Sequence, residues 1–374
     1  MKIKSFEFNL RELAGSMGDF GTLFPFAIGY IAVNGLDPAG FLVMMGAANI
    51  ATGLVYRLPM PIEPMKVLAA TAIALRWAPE TVYASAFATG VIWLIISFTG
   101  AMRWLARVTP LCVVRGIQVA LGVMLALQAY PLVKTWWLLA AVSIIIIVFL
   151  RENRYAPAAV VLMALGALIV VVRGDAAGIT PPAFTIPPLT SFGMADITRS
   201  LVTGVIPQVP LTIGNAVIAT AALIRSYWPE RADVDEHRLA LNQGVMNVVV
   251  PFFGGMPMCH GSGGLAGQYY FGARTGGTNI IEGTIEIVLG LFFAGSIAAL
   301  FAVFPMAIIG AMMLLVGVEL TKFAKDVAFN RDLAPMALTV VLALAFNMAV
   351  GFFAGLALYH LMRRVAAGKD GAEG

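Results

Sequence analysis

Apolar residues run through the chain from residue 13 to residue 362 in long stretches, with neither the alternation of strands nor the one-sided stripe of surface helices. A helix crossing the hydrocarbon core needs about 17–25 such residues. Cut at Pro, Gly and charged positions, the pattern predicts spans near 13–33, 38–56, 80–99, 110–130, 134–150, 155–172, 196–224, 237–253, 278–300, 304–320, 332–346 and 347–362. Two further apolar pieces, 64–75 and 261–271, are too short to cross alone, and each follows an extended Pro-rich or Gly-rich stretch. The reading is an all-α polytopic membrane protein of about fourteen transmembrane elements, in which elements 3 and 10 are half-helices preceded by short extended strands.

The pattern also repeats. Met60-Pro61 recurs as Met256-Pro257, an offset of 196, each time just before a short segment. Pro110 with Gly122 recurs as Pro305 with Gly317, an offset of 195. The two matches fall at equivalent places in a seven-plus-seven division, and an odd number of crossings per repeat inverts one half relative to the other. The expected organisation is a first inverted repeat over 1–172, an extracytoplasmic connector over 173–196 holding Pro181-Pro182 and Pro187-Pro188, and a second inverted repeat over 197–374.

Composition agrees with the pattern: 60% of the 374 residues are apolar and 12% charged, whereas soluble domains carry about 25% charged residues. The net charge of +4 does not indicate a nucleic-acid partner, because the basic residues stand singly at span ends, where they report topology. Arg76, Lys134, Arg173 and Arg199 fall outside, Lys66 and Arg115 fall inside apolar segments, and the remaining lysines and arginines fall on the cytoplasmic side. This predicts a multi-pass protein of the inner (plasma) membrane with both termini cytoplasmic. The first apolar stretch opens on Gly15-Ser16-Met17-Gly18-Asp19 and lacks a small-residue cleavage pattern, so no removable signal peptide is expected. Cys112 and Cys259 form neither a disulfide framework nor a metal motif, and no cofactor is expected.

Interrupted helices carry the candidate chemistry. A half-helix beginning at mid-membrane exposes unpaired N–H groups, at a cost of several kcal/mol each unless a ligand or protein group meets them. Each such end carries roughly half a positive charge, so two opposed ends and the Lys66 ammonium sum to roughly +2, a match for a dianion. His260-Gly261-Ser262-Gly263-Gly264 adds backbone that lets a bulky anion approach. Thr22, Gln208, Thr212 and Asn215 supply neutral donors, and the spacing of the last three places them on one helix face that Pro207 and Pro210 loosen. Asp19 reads either as a proton or cation site or as a helix cap. Glu282 and Glu286 share a face, with a proton relay weighed against internal hydrogen bonding, and His260 is a further candidate for the coupled proton. Arg115 is left open between an ion pair and the wall of an inner vestibule. An enzyme using Ser262 and His260 is disfavoured, since two residues apart they do not share a helix face and no Gly-x-Ser-x-Gly elbow or zinc motif is present.

Four motifs in order, Gly18-Asp19-Phe20-Gly21-Thr22-Leu23-Phe24-Pro25, Pro59-Met60-Pro61-Ile62-Glu63-Pro64-Met65-Lys66, Pro207-Gln208-Val209-Pro210-Leu211-Thr212-Ile213-Gly214-Asn215 and Cys259-His260-Gly261-Ser262-Gly263-Gly264, resemble the molybdate transporter type 1 family, which is similar to the sulfate permease (SulP) proteins. The resemblance spans about residues 11–364. It implies a core domain of 11–100 plus 197–300 and a gate or scaffold domain of 101–172 plus 301–364. It also implies an anion held between elements 3 and 10 by Lys66, Met65, Glu63, Thr22, Gln208, Thr212, Asn215, Gly261, Ser262 and Gly263. The regulatory STAS domain of sulfate permeases is not expected after Arg364. Glu63 departs from the family pattern, in which glutamine is usual. A carboxylate there either pairs with Lys66, cutting the cavity charge to roughly +1, or is held protonated by burial. The expected function is secondary active import of a tetrahedral oxyanion, molybdate ahead of tungstate and sulfate, by proton symport with Asp19, Glu63, Glu286 or His260 carrying the proton. Sodium is the alternative coupling ion, and a homodimer is left open. Transport of bicarbonate, a carboxylate or uracil on the same fold, or an anion channel, is the alternative.

Overall fold

The computed structural model describes residues 2–3, 5–18, 20–102, 104, 108–150, 158–175, 179–231, 233–327 and 331–370. The described elements are helical apart from two short strand pairs. In chain order they are β1 (Lys2–Ile3), β2 (Phe6–Glu7), α1 (Leu10–Ser16), α2 (Phe20–Ile28), α3 (Pro38–Tyr56), β3 (Glu63–Pro64), α4 (Lys66–Ala74), α5 (Pro79–Thr99), α6 (Leu111–Lys134), α7 (Trp137–Leu150), α8 (Ala158–Val172) and α9 (Met194–Ser200). There follow α10 (Ile206–Leu211), α11 (Thr220–Tyr227), α12 (Glu236–Val249), β4 (Met258–Cys259), α13 (Ser262–Phe271), α14 (Gly277–Val303), α15 (Met306–Lys322), α16 (Leu333–Ala345) and α17 (Met348–Asp370).

Local chemistry sets the ends. Asp37 caps α3, its carboxylate accepting from Gly40 N at 2.9 Å with Pro38 in the first turn, and the helix stops at Arg57 in the left-handed region (φ 58°). α5 likewise starts on Pro79 and stops at Gly100 (φ 66°). The predicted first span, 13–33, is two helices, because Met17 and Gly18 form a turn packed on α13; a Cβ on Gly18 would stand 2.5 Å from Gln268 N. Loosening around Pro207 and Pro210 takes the form of π-helical turns at Leu201–Val205 and Thr212–Ala219, which flank α10.

Among the described residues, five helices are long and apolar enough to cross a membrane by themselves: Pro38–Tyr56, Pro79–Thr99, Leu111–Lys134, the continuous Met194–Tyr227, and Gly277–Val303. Others are shorter, among them α7 at 14 residues, α8 at 15 and α16 at 13. Outward-facing Phe98, Phe149, Val172 and Leu361 are exposed, the expected wall of a protein whose solvent is lipid.

Helix pairs are interleaved along the chain: α3 packs on α14, α5 on α12, and α6 on α15. Gly122 and Gly317 bring α6 and α15 into backbone contact, since a Cβ on Gly122 would lie 2.5 Å from Gly317 O and one on Gly317 would lie 2.6 Å from Gly122 O. At the centre β3 and β4 pair antiparallel, Glu63 opposite Cys259 and Pro64 opposite Met258, with all four residues buried. Met65 N extends the ladder by donating to Pro257 O at 3.0 Å. The predicted short segments thus follow extended strands, and the strands pair with each other.

Candidate functional site

β3 and β4 run in opposite directions and each leads directly into a short helix, so the starts of α4 and α13 meet on either side of one small ladder. Proline and glycine make this possible. Pro61 and Pro64 keep the approach to α4 extended, and Gly261 is the uncapped residue ahead of α13.

Two asparagines hold the strands in place. Asn279 of α14 grips Met60, accepting from Met60 N at 2.9 Å and donating to Met60 O at 2.5 Å. Asn247 of α12 does the same for Met258, at 2.8 Å and 2.6 Å. Asn279 also donates to Asn49 Oδ1 at 2.9 Å, and Asn49 donates to Glu286 Oε2 at 2.9 Å. Glu286 is therefore a buried member of the network that fixes the strand before α4, whereas Glu282 Oε2 accepts from Gln268 at 3.3 Å.

Two of the amides opening α4 are met by a side chain. Gln208 Oε1 accepts from Val67 N at 2.9 Å and Leu68 N at 3.3 Å, and its amide donates to Thr212 Oγ1 at 2.9 Å. Asn215 Oδ1 accepts from Ser262 Oγ at 2.6 Å. The stripe Gln208, Thr212, Asn215 thus reaches from the start of one short helix to the start of the other.

Lys66 and Glu63 are paired, Nζ to Oε2 at 2.5 Å, with Glu63 1% and Lys66 13% exposed. The carboxylate lies against the first turn of α13. A Cβ on Gly261 would stand 2.5 Å from Glu63 Oε2, and one on Gly264 would collide with Oε1. Beside it the site is open: Gly263 is exposed, and a Cβ there would meet nothing within 4 Å. Met65, the residue preceding α4, is buried. His260 is fully buried, its Nδ1 3.3 Å from Pro61 O and its ring edge-on to Tyr56. Thr22 lies on α2, which packs on β3, and Asp19 lies outside the described residues. Arg115 of α6 donates to Gln118 Oε1 at 2.9 Å.

Lys66, Glu63, Met65, Gln208, Thr212, Asn215, Gly261, Ser262, Gly263 and His260 are thus assembled around one strand pair, while Glu286 sits behind it. The asparagine clamps, the Gly264 seat and Glu12 are not evident from motif reading. Glu12 of α1 accepts from Arg274 N, Thr275 N and the Thr278 hydroxyl, fixing the loop before α14. A signal for them exists in the sequence: isolated amides and a carboxylate among apolar and small residues.

A family model described as "Molybdate transporter of MFS superfamily" matches residues 11–125 and 200–320, which include β3, α4, the Gln208–Asn215 stripe and α13. The chain belongs to this molybdate transporter family. Within the family it is 31% identical to "Molybdate transporter 1" of Arabidopsis thaliana over 95% of this chain and 88% of that protein. The fold is similar to that of the transmembrane domain of the cyanobacterial bicarbonate transporter BicA, with a TM-score of 0.66 and 17% identity over 92% of this chain and 97% of that one. It is also similar to murine Slc26a9, described as an anion transporter in the inward-facing state, with a TM-score of 0.71 and 14% identity over 98% of this chain and 70% of that one. Family membership makes the chain a multi-pass membrane transporter of anions and not an enzyme.

Proposed function

We propose that this molybdate transporter family member imports a tetrahedral oxyanion, molybdate ahead of tungstate and sulfate, by alternating access coupled to protons. One observation carries the reading: the starts of α4 and α13 converge beside Lys66, with open space at Gly263 through which an anion reaches the first turn of α13. In this reading Lys66, Ser262, Asn215, Thr212, Thr22 and Gln208 face the oxyanion, Met65 fixes the start of α4, and the small residues Gly261 and Gly263 admit the substrate's oxygens.

The moving parts follow from an inverted seven-plus-seven repeat. The interleaved packing supports it: α3 pairs with α14 while α5 pairs with α12, as expected when corresponding helices of two inverted halves exchange partners, and α6 pairs with its counterpart α15. The core domain, 11–100 plus 197–300, carries the anion past the gate domain, 101–172 plus 301–364, in the inner membrane with both termini cytoplasmic. A dianion entering against the membrane potential costs about 2.3 kcal/mol per charge per 100 mV, which coupling to protons through Asp19, Glu63 or His260 offsets.

Thermal stabilisation of the detergent-purified protein tests the substrate. Stabilisation by micromolar molybdate or tungstate, with sulfate weaker, is the expected result; no stabilisation by any oxyanion overturns it. A monovalent anion such as bicarbonate is the second reading, favoured by the Glu63–Lys66 pair, which leaves roughly +1 at the site. Stabilisation by bicarbonate alone selects it.

A further inference from the structure

We propose that the Glu63 carboxylate is a tethered anion that occupies the α13 end of the substrate site in the empty transporter, and that an entering dianion takes its place together with one proton bound at Glu63. The inference rests on the oxyanion reading and adds to it the device by which the site stays balanced when empty.

The seat is built. Glu63 is 1% exposed, and Gly261 and Gly264 both lie where any larger side chain would strike its carboxylate. Oε2 binds Lys66, while Oε1 has no hydrogen-bond partner among the described residues although it lies against the first turn of a ten-residue helix. That turn has no side-chain cap, whereas the corresponding turn of α4 is closed by Gln208. A negative charge beside the α13 end is favourable, and the one present belongs to the protein.

Charge then decides what happens when substrate arrives. Among the described residues, two helix ends at roughly half a charge each, Lys66 and ionised Glu63 sum to roughly +1. A dianion added to that set leaves an uncompensated buried charge, which is strongly unfavourable. Protonating Glu63 raises the sum to roughly +2 and removes the repulsion, the proton coming from solvent and staying on the carboxyl oxygen. The other groups around Glu63 are Lys66, Cys259 opposite it in the ladder, His260 against Pro61, Tyr56 edge-on to His260, and Tyr30 within electrostatic reach of Cys259; Asp19 lies outside the described residues. Of these, Glu63 is the group seated against Gly261 and Gly264.

Calorimetric titration of the purified full chain with sodium molybdate, in two buffers of different ionisation enthalpy, counts the protons. The wild type is expected to take up one proton per molybdate and to lose about tenfold in affinity per pH unit as the pH rises. Glu63→Gln is expected to bind without proton uptake, with a flat pH profile, and at the alkaline end about tenfold or more tighter than wild type. Wild-type binding with no proton uptake, or the same uptake in Glu63→Gln, overturns the tethered-anion inference and leaves the oxyanion reading standing. Failure of molybdate, tungstate and sulfate to bind either protein overturns both. The wild-type proton count needs no variant, so a count of zero overturns the inference even if Glu63→Gln does not fold.

Discussion

Lys66 and Glu63 have to be altered together to be understood. Lys66→Ala strands a carboxylate that is 1% exposed, and breaking a buried pair from one side costs about 3–5 kcal/mol. The expected result is a large fall in melting temperature, substantially recovered in the Lys66→Ala, Glu63→Gln double variant, with neither variant binding molybdate. A recovered double variant that binds like wild type would remove Lys66 from the site. Gln208 makes a different case, being neutral and serving two backbone amides at once. Gln208→Leu leaves Val67 and Leu68 N–H groups unmet and is expected to destabilise by about 1–3 kcal/mol, with weaker anion binding in the same titration. At the surface, the Arg231 hydrogen bond, helped by Arg238, holds the Asp233 carboxyl below its ordinary range. Its stabilisation is therefore present above the unfolded value and lost as pH falls through the folded one. Because the pairs are exposed, the effect is about 0–1 kcal/mol. Asp233→Asn should lower the melting temperature slightly at neutral pH and not in strong acid.

The helices and the two short segments were legible because length and apolar run are direct consequences of bilayer thickness, and breaks fall at Pro and Gly. Predicted 38–56 is α3, and the half-spans 64–75 and 261–271 contain α4 and α13. What the pattern did not carry is contact across the chain. The split of the first span at Gly18 depends on Gln268, and the strand before α4 is held by Asn279, both more than two hundred residues away. Period and composition report a residue's own surroundings, so an asparagine in an apolar run reads as polar without naming its partner. Asn279→Leu frees both polar groups of Met60, one acceptor of Asn49 and indirectly Glu286; we expect about 1–3 kcal/mol per buried group left unmet, read as a lower unfolding temperature and weakened molybdate binding. Asn247→Leu should behave alike through Met258. At the α6–α15 contact, Gly122→Leu is expected to cost about 1–3 kcal/mol or more by overpacking, without touching a substrate contact.

On the scale of the whole molecule, each short helix is completed by a side chain from the other end of the chain: Gln208 closes α4 from 141 residues away, and Glu63 lies on α13. The same holds for His260 on Pro61, at a separation of 199 residues. A ribosome adding about 5–20 residues per second has therefore released α4 on the order of ten seconds or more before its partner strand exists. Through that interval the growing chain carries extended, proline-rich backbone and unmet amides in or near the lipid. The strand pair beside Lys66 therefore closes only once β4 has been made, and chains stopped before β4 should be ready prey for membrane quality-control proteases.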